Sequence, residues 1–164
     1  MKISVSPAPL ADQKKDALVV FLQGSEILLP AGNTALKKLA TEYAKNSAFK
    51  GNAGQVAIFP LPEKTAAKQL IVTGLGEAGS FHNALLEQAA ASAIRAGHAA
   101  GLKSFAMVAG IKLKGVSQSD YQILAGRGAC WGTYEFSTFK SDSKKKTAYT
   151  LTTIPSSANA IGPS

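Results

Sequence analysis

Gln69-Leu70-Ile71-Val72-Thr73-Gly74-Leu75-Gly76, running on through Glu77-Ala78-Gly79-Ser80 to Gly101, decides the fold. Gln69 to Thr73 is a continuous apolar, β-branched run, the pattern of a strand buried on both faces. Gly74-Leu75-Gly76 punctuates it. Ser80 is the expected N-cap of the following helix, because its hydroxyl can accept an unpaired first-turn N–H. Leu85, Leu86, Ala89, Ala90, Ala93 and Ile94 then recur at spacings of three and four, one face of a helix about five turns long. Gly97 extends that face without a side chain and allows close packing, and Gly101 fits a helix stop. Ser104-Phe105-Ala106-Met107-Val108-Ala109 reads as the next strand. Strand, glycine turn, helix, strand is a βαβ crossover, which implies a mostly parallel sheet with helices packed on it.

Outward from this unit the chain keeps the same grammar. Lys2 to Ser6 alternates as a half-buried strand, and Ala17 to Leu22 is a second strand without alternation. Gly24-Ser25 opens a loop closed by Pro30-Ala31-Gly32. Asn33 or Thr34 caps a helix bearing Leu36, Leu39, Ala40 and Tyr43 at helical spacing. Phe49 to Gly54 is a turn, and Val56-Ala57-Ile58-Phe59 a short strand halted by Pro60 and Pro62. After the crossover, Ser117 or Ser119 caps a third helix with Tyr121, Leu124, Gly128 and Trp131 on one face. Gly126, Gly128 and Gly132 each cost this helix up to ~1 kcal/mol relative to alanine, so it is expected to lie very close to a neighbour. Ser137 to Lys146 is a polar connection. Ala148 to Ile154 alternates and reads as a last strand at a sheet edge. The expected fold class is α/β, a three-layer α/β/α sandwich with a mixed, mostly parallel sheet. Residues 1–154 form the domain, and 155–164 a linker or frayed tail.

The whole of the 164 residues suits a single domain that buries roughly 70% of its unfolded surface. A hydrophobic content of 46% excludes general disorder. The first residues lack the apolar core of a signal peptide, and no run approaches the ~18 apolar residues of a membrane span. A single cysteine, Cys130, cannot close an internal disulfide, which points to the cytoplasm. The formal charge of +8 favours polyanions as partners.

Little in the sequence carries chemistry. His82 and His98 flank one helix without metal-ligand spacing. Asp12, Asp16 and Glu87 do not cluster as a two-metal carboxylate site would. Cys130, beside Trp131 among glycines, reads as a small core residue rather than a nucleophile. Gly74, Gly76 and Gly79 match G-x-G-x-x-G and could cradle a phosphate at a helix N-terminus. However, no acid follows to hold a ribose, and Glu77 would repel the anion. Lys112, Lys114, Lys144, Lys145 and Lys146 are candidates for nucleic-acid contact.

Two stretches carry a family likeness. Leu70 to Gly76 with its alanine-rich helix resembles the strand end of the N-terminal domain of the M17 leucyl aminopeptidases, the cytosol aminopeptidase family. Gly128-Ala129-Cys130-Trp131-Gly132-Thr133-Tyr134-Glu135-Phe136 through Ser141 is similar to that domain's closing helix. Arg127 departs from the pattern, because the family usually has an acid before that glycine. The resemblance implies a macro-domain-like fold and a non-catalytic role for this part of a hexameric enzyme, in assembly and active-site access. It places the metal-dependent removal of N-terminal residues such as leucine in a C-terminal catalytic domain. There the family's lysine, aspartates and glutamate bind two divalent metals (zinc, manganese or magnesium). None of those motifs occurs in this chain, so no catalytic residue carries over. Some bacterial members bind DNA, which the resemblance adds to the basic charge.

Overall fold

A computed structural model describes residues 2–5, 14–29, 34–45, 49–63, 65–108, 118–139 and 150–154. Among the described residues, seven strands form one sheet. They are β1 (Lys2–Val5), β2 (Ala17–Gln23), β3 (Glu26–Leu28), β4 (Val56–Pro60), β5 (Gln69–Gly76), β6 (Ser104–Val108) and β7 (Thr150–Ile154). The helices are α1 (Thr34–Lys45), α2 (Asn83–Ala99) and α3 (Gln118–Phe139). The strand order is β1-β7-β6-β2-β5-β4, with β3 pairing on β2. The pairs β1–β7, β7–β6, β6–β2 and β2–β5 are parallel, whereas β4–β5 and β2–β3 are antiparallel. This is the mixed, mostly parallel sheet expected from the sequence.

The two strands read as doubly buried sit at its centre. In β2 every residue from Ala17 to Leu22 is buried, and so is Leu70 to Leu75 in β5. Successive residues of a strand point to opposite faces, so Ile71 and Leu70 report different layers. On the Ile71 side lies α2: a Cβ on Gly97 would collide with the Phe105 ring and touch Ile71. The Thr73 hydroxyl, fully buried, donates to the Ala89 carbonyl at 3.0 Å. On the Leu70 side lies α1. Its Tyr43 ring stacks on Phe59 at 4.9 Å between centroids, and Phe59 is in register with Leu70. The Tyr43 hydroxyl donates to the Pro60 carbonyl at 2.7 Å.

Helix α2 ends as Gly101 suggests. Gly101 has φ +84°, its N–H donates to the His98 carbonyl and the Leu102 N–H to Gly97. This pair of bonds satisfies carbonyls that the helix end would leave open, and the left-handed residue it needs is glycine. The start of α2 differs from expectation. Ser80 belongs to a separate 3-10 turn, Ala78–Ser80, and the helix is entered from His82, whose side chain makes no capping bond.

Third helix and neighbour approach as closely as the glycines require. A Cβ on Gly128 would clash with the Glu87 carbonyl, and one on Gly132 would stand 2.6 Å from the Ala91 carbonyl. Leu124, Ala125 and Ala129 are buried in the same seam. Trp131, expected on that face, is instead 54% exposed, and Ile123 is 59% exposed. Helix α3 also runs on to Phe139, so Ser137 to Phe139 is helical rather than connecting chain. Arg127 spans the two helices: Nε and Nη2 donate to the two Glu87 carboxylate oxygens at 3.2 and 3.0 Å. The departure at Arg127 is thus matched by an acid on α2, and the carboxylate raises the guanidinium pKa by hydrogen bonding first and charge second.

Two further corrections concern the sheet. The loop opened by Gly24 holds the short strand β3, folded back on the end of β2. Strand β7 is not an edge strand: Thr150 is in register with both Lys2 and Ser104, so β7 lies between β1 and β6.

Candidate functional site

The glycines singled out by sequence lie at the C-terminal end of β5, where three loops meet. Gly24 follows β2, Gly51 to Gly54 precede β4, and Gly74 and Gly76 close β5. Backbone bonds zip them together. The Gly24 N–H donates to the Gly76 carbonyl at 2.9 Å, Gly76 N–H to Gly51 at 3.1 Å, Gly74 N–H to Gln55 at 2.8 Å, and Gly54 N–H to Gly74 at 3.0 Å. The Gln55 carboxamide oxygen accepts from the amides of Lys50 and Asn52 at 3.1 and 3.3 Å. Gly74 is required by this contact, because a Cβ there would overlap the carbonyls of Asn52 and Gly51.

A phosphate cradle works by presenting unpaired N–H groups, reinforced by a helix N-terminus. In this chain the Gly74 and Gly76 amides already serve carbonyls of the fold. Gly79 is exposed in the 3-10 turn with nothing near its Cβ direction, beside exposed Glu77, and α2 begins beyond it at Asn83. The structure therefore separates the third glycine from the first two. The second set of candidates, Lys112, Lys114, Lys144, Lys145 and Lys146, lies outside the described residues.

The titratable residues also fall apart. His82 is exposed at the start of α2, whereas His98, near its end, is 6% exposed with its ring tilted against Phe105 at 6.0 Å. Burial strips water from the imidazolium and lowers the His98 pKa from about 6.5 to about 4. The folded state therefore holds His98 neutral where the unfolded chain would bind a proton. Stability is accordingly full above pH 6.5, falls as pH drops through the window from 6.5 to 4, and is reduced by about 3 kcal/mol below it. Urea melts at pH 7, 5 and 4 should show this loss relative to His98→Leu; parallel pH curves for the two proteins would refute it. Cys130 is half-buried on α3. Among the described residues, no group of three His, Cys, Asp or Glu side chains could hold a metal, and no helix is long and apolar enough to cross a membrane.

A feature that no single stretch of sequence displays lies at the opposite, N-terminal end of the strands. Lys14 and Lys15 precede β2, Lys68 precedes β5 and Lys103 precedes β6, and these three strands are neighbours. The available signal was a lysine one or two residues ahead of each of these three strands.

Comparison with known proteins decides the lineage. The family model for the N-terminal domain of the cytosol aminopeptidase family matches residues 19–143. The chain belongs to this family. A probable cytosol aminopeptidase of Acidobacterium capsulatum is 25% identical over 175 residues, covering 98% of the chain and 34% of the relative. The chain therefore spans about a third of that relative's length. Among solved structures, a leucine aminopeptidase of tomato matches with TM-score 0.65 and 19% identity, over 94% of this chain and 32% of that one. The macrodomain of Mycobacterium tuberculosis DarG matches with TM-score 0.61 and 14% identity, over 92% and 96%. These likenesses establish the macro-like fold of this cytosol aminopeptidase N-terminal domain.

Proposed function

We propose that the chain acts as the non-catalytic N-terminal domain of a longer, metal-dependent cytoplasmic aminopeptidase that removes N-terminal residues such as leucine. In that protein it would support assembly of a hexamer and govern access to the active sites. The observation that carries the reading is the family match over residues 19–143 in a chain one-third the length of its relative. Its own residues do not fit a two-metal centre, since the described His, Cys, Asp and Glu side chains nowhere converge in threes. The zinc, manganese or magnesium pair would be held by the catalytic part of the polypeptide, to which this domain is the partner. The purified chain, supplied with each metal in turn, is expected to leave leucine p-nitroanilide intact. Metal-dependent release of nitroaniline by the chain alone would overturn the proposal.

A second reading is favoured by the match to a macrodomain over nearly its whole length: binding of a nucleotide such as ADP-ribose at the Gly74–Gly79 loop. The engaged amides of Gly74 and Gly76 weigh against it. Calorimetric titration with ADP-ribose separates the two, because the assembly reading expects no heat and saturable binding would establish the nucleotide site.

A further inference from the structure

Among the described residues β4 ends the sheet beyond β5, and its second edge is open. The ladder decides which groups that edge carries. The Gly74 N–H donates to the Gln55 carbonyl at 2.8 Å and the Leu61 N–H to the Lys68 carbonyl at 3.0 Å, so residues 55 and 61 turn their backbone toward β5. Bonding alternates along an antiparallel pair. Ala57 and Phe59, in register with Val72 and Leu70, therefore bond inward as well. The N–H and C=O groups of Val56 and Ile58, and the carbonyl of Pro60, point away from the sheet. Proline fits at that position because the N–H it lacks would have faced outward. The Pro60 carbonyl already accepts from the Tyr43 hydroxyl at 2.7 Å. No turn or loop bond of another described residue reaches Val56 or Ile58.

The open part of the edge is thus the backbone of two residues that share one direction. Natural sheets blunt such an edge with lysine, a bulge or an inward-pointing charge, because it is a template for another strand. In this chain no charged residue occurs from Gly51 to Pro62, and β4 keeps unbroken register with β5. Val56 to Phe59 are all half-buried. Only Pro60 guards the edge, and it closes one end.

We propose that the free edge of β4 pairs with the same edge of a second copy of this chain, antiparallel, about a two-fold axis through Ala57. Val56 of each copy then exchanges both backbone bonds with Ile58 of the other, so every open group of these residues is used. The two Ala57 residues meet as the non-hydrogen-bonded pair, where Cα atoms approach to about 4.5 Å and a small side chain is needed. Val56 and Ile58 lie on the face of Thr73 and Ile71, and pairing them across the axis sets β-branched side chains together. A register centred on Ile58 would set Val56 against Pro60, which has no donor and whose carbonyl serves Tyr43. A longer strand from an unrelated protein would meet the same block, whereas the two-fold pair stops short of it. The contact gives the assembly role proposed above a two-fold axis and rests on that role for its purpose. Release of nitroaniline does not report on it, so either proposal can fail alone.

So short an edge makes a weak dimer, and sedimentation velocity from about 10 µM to about 1 mM covers the range in which it forms. The unaltered chain should shift from 17.0 kDa toward twice that mass as its concentration rises. Ile58→Lys sets a charge on the edge and should hold the chain at 17.0 kDa throughout. Ala57→Cys, made together with Cys130→Ser so that a single thiol remains, brings the introduced thiols within disulfide reach across the axis. Under mild oxidation it should cross-link about tenfold faster or more than Ala99→Cys in the same background, because pairing raises the local thiol concentration. Ala99 is exposed at the end of α2, away from β4. An unaltered chain that stays at 17.0 kDa, equal linking rates at positions 57 and 99, or a folded Ile58→Lys variant that still dimerises would each overturn the proposal. Should Ile58→Lys fail to fold, the linking rates decide.

Discussion

Replacing Gly128 by alanine is expected to lower the melting temperature of the domain by about 4–8 °C, a loss of roughly 2 kcal/mol. Two opposing terms set this figure. Alanine is intrinsically the better helix residue by about 1 kcal/mol, so an unconstrained glycine would be stabilised by the change. At this position, however, the added methyl meets the backbone carbonyl of Glu87 and the Ala90 side chain. Backbone cannot rotate away as a flexible side chain can, so α3 must lift from α2. Overpacking of that kind costs up to about 3 kcal/mol and outweighs the propensity gain. The separation would also strain the Arg127–Glu87 pair, which spans the same two helices. Thermal unfolding followed by circular dichroism reads the outcome. A variant as stable as the parent, or more so, would mean that the helices are not in backbone contact.

The second large effect is expected at Gly74. Gly74→Ala should cost about 3 kcal/mol, because its Cβ would enter the space of the Gly51 and Asn52 carbonyls. The nearby Gly79→Ala has open space around the new methyl and should stay within about 0.5 kcal/mol of the parent. The pair distinguishes the two meanings of the glycine spacing. Backbone packing predicts one severe and one silent substitution, as measured by urea denaturation. Equal, small effects would show that the loop is not zipped to its neighbours.

The elements most legible in the sequence were those where one local rule sufficed. Unbroken apolar runs identified β2 and β5 as central, and their complete burial follows from having helices on both faces. The recurrence of glycine in α3 foretold a close helix neighbour, because no other pressure retains so many poor helix formers in one segment. Arrangement in space was harder to read. The alternation in β7 reports two unlike faces but says nothing about which strands lie alongside, so its place between β1 and β6 could not be seen. The spacing of Trp131 from Leu124 and Gly128 allows it a place on the buried face, whereas the glycines and alanines claim the seam and turn it outward. The phosphate-loop pattern illustrates the same limit. Glycine spacing cannot tell whether an N–H is offered to a ligand or already bonded to Gln55 and Gly51. Likewise the lysines at 14, 15, 68 and 103 are scattered in sequence and become neighbours only because β6, β2 and β5 are adjacent and parallel.

That this chain is one domain of a larger aminopeptidase is tested most directly by the mass of the native species that carries it. An antibody against the domain, applied to a native cell extract, should detect a subunit about three times the 17.0 kDa of this chain, given that the chain covers 34% of its relative. That subunit should migrate as an oligomer and copurify with metal-dependent release of N-terminal leucine. A native subunit of 17.0 kDa without such activity would contradict the account.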